Sequence, residues 1–231
     1  MRSTRILSSV LLLSVLMLGA CSRDTRQIPA TYTVKPGDTL YAVAWRHNLD
    51  YHVLARWNNL PADYRIEVGQ ILYLRPRGVQ SMLPPPAAGK PARPPTRARP
   101  VPVRPVEAVA HWVWPAEGPA NIVRHAETDS QGLLIAGAEG APVRAAAQGK
   151  VVYTGSGLLG FGNLVIVKHT ETFLSAYGHN RELKVKEGDA VIAGQPIAEM
   201  GFGPGQKPAL YFEIRYQGRP VDPLAYLPSR P

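Results

Sequence analysis

The sequence predicts two folded modules of different class. The first is a small α+β unit of order β-α-α-β over residues 31–74. The second is a mostly-β domain over residues 112–231, joined to the first by a Pro/Arg-rich disordered linker over residues 75–111. Three observations predict this. Leu40, Val43 and Ala44 fall at helical spacing between two short alternating segments. Beyond residue 112, short alternating segments recur with glycine between nearly all of them, and no helical period is sustained. Between the two lies a stretch, 75–106, with ten prolines, seven basic residues and no acidic one, the composition of an extended tether.

Ahead of both modules stands a third kind of segment. Arg2 and Arg5 precede a run over 6–18 that is apolar apart from its serines. That run is too short to span a bilayer and has the form of a secretory signal. It ends in Leu18-Gly19-Ala20-Cys21, and Cys21 is the single cysteine of the chain. A lone thiol excludes a disulfide framework, and nothing around Cys21 could bury it in a core. The segment resembles a bacterial lipoprotein signal with its lipobox. The resemblance implies a signal peptide over 1–20, cleavage before Cys21, lipidation of Cys21, and a lipidated tether over 21–30. Ser22, where an aspartate is absent, favours sorting to the periplasmic face of the outer membrane.

The formal net charge of +9 would suit nucleic acid, but the excess sits in the linker and no aromatic side chains are interleaved with it for stacking. Together with export, this excludes nucleic acid as a partner. A basic tether also suits anionic lipid or the peptide carboxylates of a cell wall. Extended as polyproline II, it would reach on the order of 100 Å, so the second module is expected to range freely while the first stays near the membrane.

In the first module, Tyr32-Thr33-Val34 alternates like a strand, and Pro36-Gly37-Asp38-Thr39 turns into a helix cap. Asp50 caps a second helix with Val53, Leu54 and Trp57 on its apolar side, Asn58-Asn59-Leu60-Pro61 ends it, and 66–74 supplies the closing strand. The segments Tyr32-Thr33-Val34-Lys35-Pro36-Gly37-Asp38-Thr39-Leu40, Trp57-Asn58-Asn59-Leu60 and Ile66-Glu67-Val68-Gly69-Gln70-Ile71-Leu72 resemble a LysM domain over its whole length. The resemblance implies binding of N-acetylglucosamine-containing strands of peptidoglycan. The groove would be formed by Gly37, Asp38, Thr39 and Leu40 on one side and Asn59, Leu60, Pro61 and Ile66 on the other, with backbone groups meeting N-acetyl groups and Leu60 and Pro61 giving an apolar wall.

In the second module, strands are expected over 132–137, 149–155, 163–169, 173–179, 196–201 and 209–216. The run 185–195 resembles the strand-turn of barrel-sandwich folds, but a lipoyl or biotinyl carrier would need an exposed modifiable lysine between small or acidic residues, and none is found. The full ordered set is more specific: Gly140-Ala141-Pro142-Val143-Arg144-Ala145-Ala146, Gly149-Lys150-Val151-Val152-Tyr153, residues 160–169, Tyr177-Gly178-His179 and Leu210-Tyr211-Phe212-Glu213-Ile214-Arg215. It resembles the lysostaphin/LytM zinc peptidase domain. That family holds zinc with an H-x-x-x-D pair and the second histidine of H-x-H. Matched residue by residue, those ligand positions carry Ser130, Leu134 and Tyr211, and the first histidine of H-x-H is Ala209. Only His179 remains of the groups that assist. Zinc needs imidazole, thiolate or carboxylate, so the expectation is no metal, no cofactor and no catalytic residue. His125 and Asp129 have H-x-x-x-D spacing but fall five residues early.

A vacated cleft becomes a surface for binding. Period-2 alternation along 210–215 puts Tyr211, Glu213 and Arg215 on one face and Leu210, Phe212 and Ile214 on the other, core face. Tyr177 and His179 are expected to join the first set in a partner-binding groove. With the lipoprotein signal and LysM segment, the pattern resembles the murein hydrolase activators of the NlpD/EnvC group. These are non-catalytic and bind periplasmic N-acetylmuramoyl-L-alanine amidases in cell-wall remodelling and daughter-cell separation. Two alternatives stand beside this reading: an active zinc endopeptidase, and a purely structural tether between wall and membrane.

Overall fold

The computed structural model describes residues 29–76, 109, 111–125 and 130–229. The signal, Cys21, most of the linker, residues 126–129 and the last two residues lie outside the described residues. The first module runs β1 (Thr31–Thr33), α1 (Leu40–Arg46), α2 (Tyr51–Trp57) and β2 (Ile71–Tyr73). Its helices begin where the sequence places caps: the Thr39 hydroxyl accepts from the Ala42 amide at 3.2 Å and the Asp50 carboxylate from Val53 at 3.0 Å. β1 and β2 pair antiparallel, Tyr32 opposite Leu72. The Asn58 side chain ties α2 to β2, donating to the Leu54 and Tyr73 carbonyls and accepting from the Tyr73 amide at 2.7 Å. Val34, Leu40, Val43, Leu54, Leu72 and Leu74 are buried at its centre.

The second module is one large antiparallel sheet. In chain order its strands are β3 (Ala120–His125), β4 (Ser130–Ala136), β5 (Pro142–Arg144), β6 (Gly149–Gly155), β7 (Asn163–Lys168), β8 (Phe173–Leu183), β9 (Ala190–Val191), β10 (Pro196–Met200), β11 (Ala209–Tyr216) and β12 (Arg219–Val221). The main path is β3-β4-β11-β8-β7-β6-β9; β10 pairs with β5 and β8, and β12 with β11. Every strand expected from the sequence is present. β3, β5, β9 and β12 are additional; three of these are only two or three residues long and show little alternation to read.

The central strands are buried on both faces. Along β7, Leu164, Val165, Ile166 and Val167 are all fully buried. Val165 and Val167 join one cluster with Leu133, Ile135, Phe212 and Ile214. Leu164 and Ile166 join another with Tyr153, Phe161, Leu174 and Ala176. That second cluster continues without a break into Leu40, Trp45, Tyr51 and Leu54 of the first module. The first module is therefore the cover of the second sheet face. This corrects the expectation of two independently ranging modules: a sheet apolar on both sides needs two covers.

Phe212 is fully buried opposite Tyr177, ring centroids 5.4 Å apart, on the face away from the first module. Phe212→Ala is expected to destabilise the fold by about 3–5 kcal/mol through the cavity it leaves. Urea unfolding followed by tryptophan fluorescence measures it; a loss below about 1 kcal/mol would place Phe212 outside the core.

Candidate functional site

β11 carries the site. Its alternation puts Tyr211, Glu213 and Arg215 on the face toward the first module, across from Gly178, Ala176 and Leu174 of β8. All three are buried, Glu213 and Arg215 to within 1 % of complete. The Glu213 carboxylate accepts from the Tyr211 hydroxyl and from the Arg215 Nε, each at 2.6 Å. Arg215 then reaches across to α1. Its Nη1 donates to the Trp45 carbonyl at 2.9 Å, and its guanidinium carbon lies 3.8 Å from the Trp45 ring centre. Trp45 stands in the last turn of α1, where its carbonyl also accepts from the Asn48 amide at 3.2 Å, and the cation sits favourably at that negative end of the helix. Burying an ion pair carries a heavy desolvation cost; here the hydroxyl, the carbonyl and the indole face offset part of it.

The expected open groove is thus a covered face. Around it, Arg46 donates to the Gly157 carbonyl at 3.1 Å. The Tyr51 hydroxyl and His52 Nε2 both meet the Glu171 backbone carbonyl, at 3.1 and 2.9 Å, and Lys168 lies 5.3 Å from the Tyr51 ring centre. The turn between β11 and β12 abuts Asp50 so closely that a Cβ on Gly218, whose φ is +74°, would lie 2.5 Å from the Asp50 backbone.

Two of the three positions aligned with zinc ligands come together, without a donor set. Leu134 on β4 is directly opposite Tyr211 on β11. The Tyr211 ring lies across Gly132, where a Cβ would approach its Cζ to 2.8 Å, and it stacks edge-on to Phe161 at 5.3 Å. His179, at a positive φ of 63°, is 6.1 Å from the Tyr211 ring between centroids. A leucine, a tyrosine engaged by Glu213 and one imidazole do not fit zinc. Among the described residues no three His, Cys, Asp or Glu side chains converge to hold a metal. The backbone of Ser130 pairs with His125 at the far end of β4.

Tyr177 is not in this set. It faces the opposite side of the sheet, because it pairs directly with Phe212 and cross-strand partners share a face. Its hydroxyl accepts from the Ala146 amide at 2.7 Å and lies 2.8 Å from Ser175 Oγ, which is 2.7 Å from His169 Nε2. His169 Nδ1 faces the Gln148 carbonyl at 2.7 Å and so carries the proton of a neutral ring. Burial lowers His169 to about 4, and pushes Tyr177 up to about 12. This chain is structural, and strand parity with Phe212 was the signal for it.

The first module's candidate residues divide. Gly37 is exposed at φ +79° and Thr39 caps α1. Asp38 is held inward, accepting from the Tyr32 hydroxyl and the Lys35 amide and paired with Arg46 at 3.3 Å. Leu40 is 1 % exposed, a core residue, so only its backbone could border a groove. Asn59, Leu60 and Pro61 line a surface cavity of about 640 Å³ with His52, Arg56 and Tyr64. Gly37, Asp38, Thr39 and Leu40 do not line it, and neither does the half-buried Ile66.

Residues 32–75 match the LysM domain and residues 128–223 match peptidase family M23. Over 248 residues the chain is 42% identical to the lipoprotein NlpD/LppB homolog of Pseudomonas aeruginosa, covering 92% of this chain and 82% of that one. The chain belongs to the NlpD family. It is also 35% identical over 259 residues to the murein hydrolase activator NlpD of Escherichia coli, spanning 87% of this chain and 68% of that protein. Among solved structures, the catalytic domain of the peptidase lysostaphin from Staphylococcus simulans is similar at 27% identity, over 48% of this chain and 87% of that one, with a TM-score of 0.41.

Two outcomes follow from the geometry. Arg215→Met leaves Glu213 buried without its cation and is expected to lower stability by about 3–5 kcal/mol, whereas Glu213→Gln with Arg215→Met recovers most of that loss; denaturant titration of the single and double variants decides, and additive losses would refute the pairing. For His169, the unfolded ring binds a proton near 6.5 and the folded ring only near 4. The unfolded state therefore holds more protons between those values, and stability falls as pH drops through that window and is level above it. His169→Asn is expected to flatten the dependence between pH 6.5 and 4 in thermal melts, and an unchanged slope would assign it elsewhere.

Proposed function

We propose that this NlpD-family chain is a non-catalytic lipoprotein of the outer membrane, facing the periplasm and anchored through Cys21. In this reading its LysM module binds peptidoglycan strands, with Gly37, Asp38, Thr39, Asn59, Leu60 and Pro61 bordering the glycan and Leu40 contributing backbone. The M23-like domain activates a periplasmic N-acetylmuramoyl-L-alanine amidase during wall remodelling and cell separation. The observation that carries the reading is the Leu134–Tyr211 pair at the centre of an M23-like sheet: at two of the positions aligned with zinc ligands stand side chains that cannot hold the metal. Relatives named murein hydrolase activator support the same direction. Tyr211, Glu213, Arg215 and His179 form the partner surface in this reading.

The test is release of dye from labelled sacculi by the chain from Ser22 onward, by an amidase of the source bacterium, and by both together. Release only in the mixture, well above the amidase alone, is expected, with no stoichiometric zinc in the purified chain. Release by the chain alone that disappears with chelator would make it a peptidase. Co-sedimentation with sacculi at both low and high salt separates LysM binding from screened attraction of the basic linker; loss of all binding at high salt would remove the glycan assignment.

A further inference from the structure

We propose that the LysM module is an intramolecular occupant of the β11 face, holding the chain closed against the amidase until it undocks; this rests on reading that face as the partner surface. In the closed chain Tyr211, Glu213 and Arg215 are buried beneath α1, so no second protein can touch them while Trp45 is in place. The occupant and a partner compete for one surface.

The contact is built to be reversible. Around the buried Glu213–Arg215 pair its interior is apolar and its rim is polar, with Arg46, Tyr51 and His52 bonded to Gly157 and Glu171, the anatomy of a docking interface. Among the described residues, two donors at that centre are buried without a hydrogen-bond partner, one from each side: Trp45 Nε1 and Arg215 Nη2. Unmet donors weaken the docked state relative to open forms in which water reaches both. The LysM module also has its own core, its own two-stranded sheet and its own helix caps. Release can therefore be a rigid-body step and need not unfold the module. Tyr64 belongs to the loop that lines the 640 Å³ cavity and also packs on Tyr51, with Lys168 6.0 Å from its ring centre. Glycan chemistry and docking thus share one loop.

Two substitutions loosen the contact without altering Tyr211, Glu213 or Arg215. Glu171→Ala removes the carboxylate that meets Tyr51, His52 and Lys168 at the rim and leaves the backbone carbonyl. Gly218→Asn keeps a residue tolerant of positive φ in the turn but drives a side chain into Asp50. Both are made in the chain from Ser22 onward, and hydrogen exchange is read at residues 40–57, with 131–136 as the fold control. The expected result is exchange faster by about tenfold at 40–57 and unchanged at 131–136. The concentration of chain giving half-maximal amidase stimulation should fall in parallel, since apparent affinity scales with the open fraction.

If exchange in the parent is already as fast as in the variants, the docked state is not populated and the proposal fails. Faster exchange with an unmoved stimulation curve would leave docking real and gating refuted. Arg215→Met in the Gly218→Asn background separates the two readings: full stimulation there would show that the β11 face is not the partner surface, which removes the assignment above and the gate with it.

Discussion

The Glu213–Arg215 pair is buried on a strand whose other face is already core. A charge pair in that position is tolerable only with further polar partners, and these come from two directions. Tyr211 completes the carboxylate from the same strand, while the Trp45 carbonyl and indole complete the guanidinium from another module. The docking of α1, the burial of Leu164 and Ile166 beneath it, and the burial of Tyr211 all depend on that arrangement.

The same residues fasten the centre of the M23-like sheet. A zinc ion binds ligands from neighbouring strands and so fastens them. Here Leu134 and Tyr211 face each other across β4 and β11, and the tyrosine ring fits because residue 132 has no side chain. Packing joins the two strands here, and the hydroxyl–carboxylate bond to Glu213 holds the tyrosine in place. His179 lies edge-on to the same ring.

The first module was legible element by element, because its helix caps are local: Thr39 and Asp50 each act within three residues. In the second, the long strands were legible from alternation, as was the sharing of one face by Tyr211, Glu213 and Arg215. Tyr177 was misplaced because it was read from its motif, Tyr-Gly-His, and not from its pairing with Phe212. The cover on the second face was not foreseen, although the sequence held a trace of it. Four consecutive apolar residues in β7, Leu164 to Val167, mark a strand buried on both sides, and that demands a second layer. What the layer would be lies in contacts between residues far apart in the chain, which local patterning does not record. The long basic linker pointed away from it.

Residues 77–108 join the end of β2's module to the start of the sheet domain, and the two ends belong to bodies already in contact. The linker therefore closes a loop. A tethered module meets its own docking face at an effective concentration set by the length of the tether. A weak, incompletely bonded contact suffices under that condition, and a free protein must bind far more tightly than LysM to displace it. Lengthening or shortening the linker would then set the threshold concentration at which a partner is admitted, without any change in the surfaces that touch.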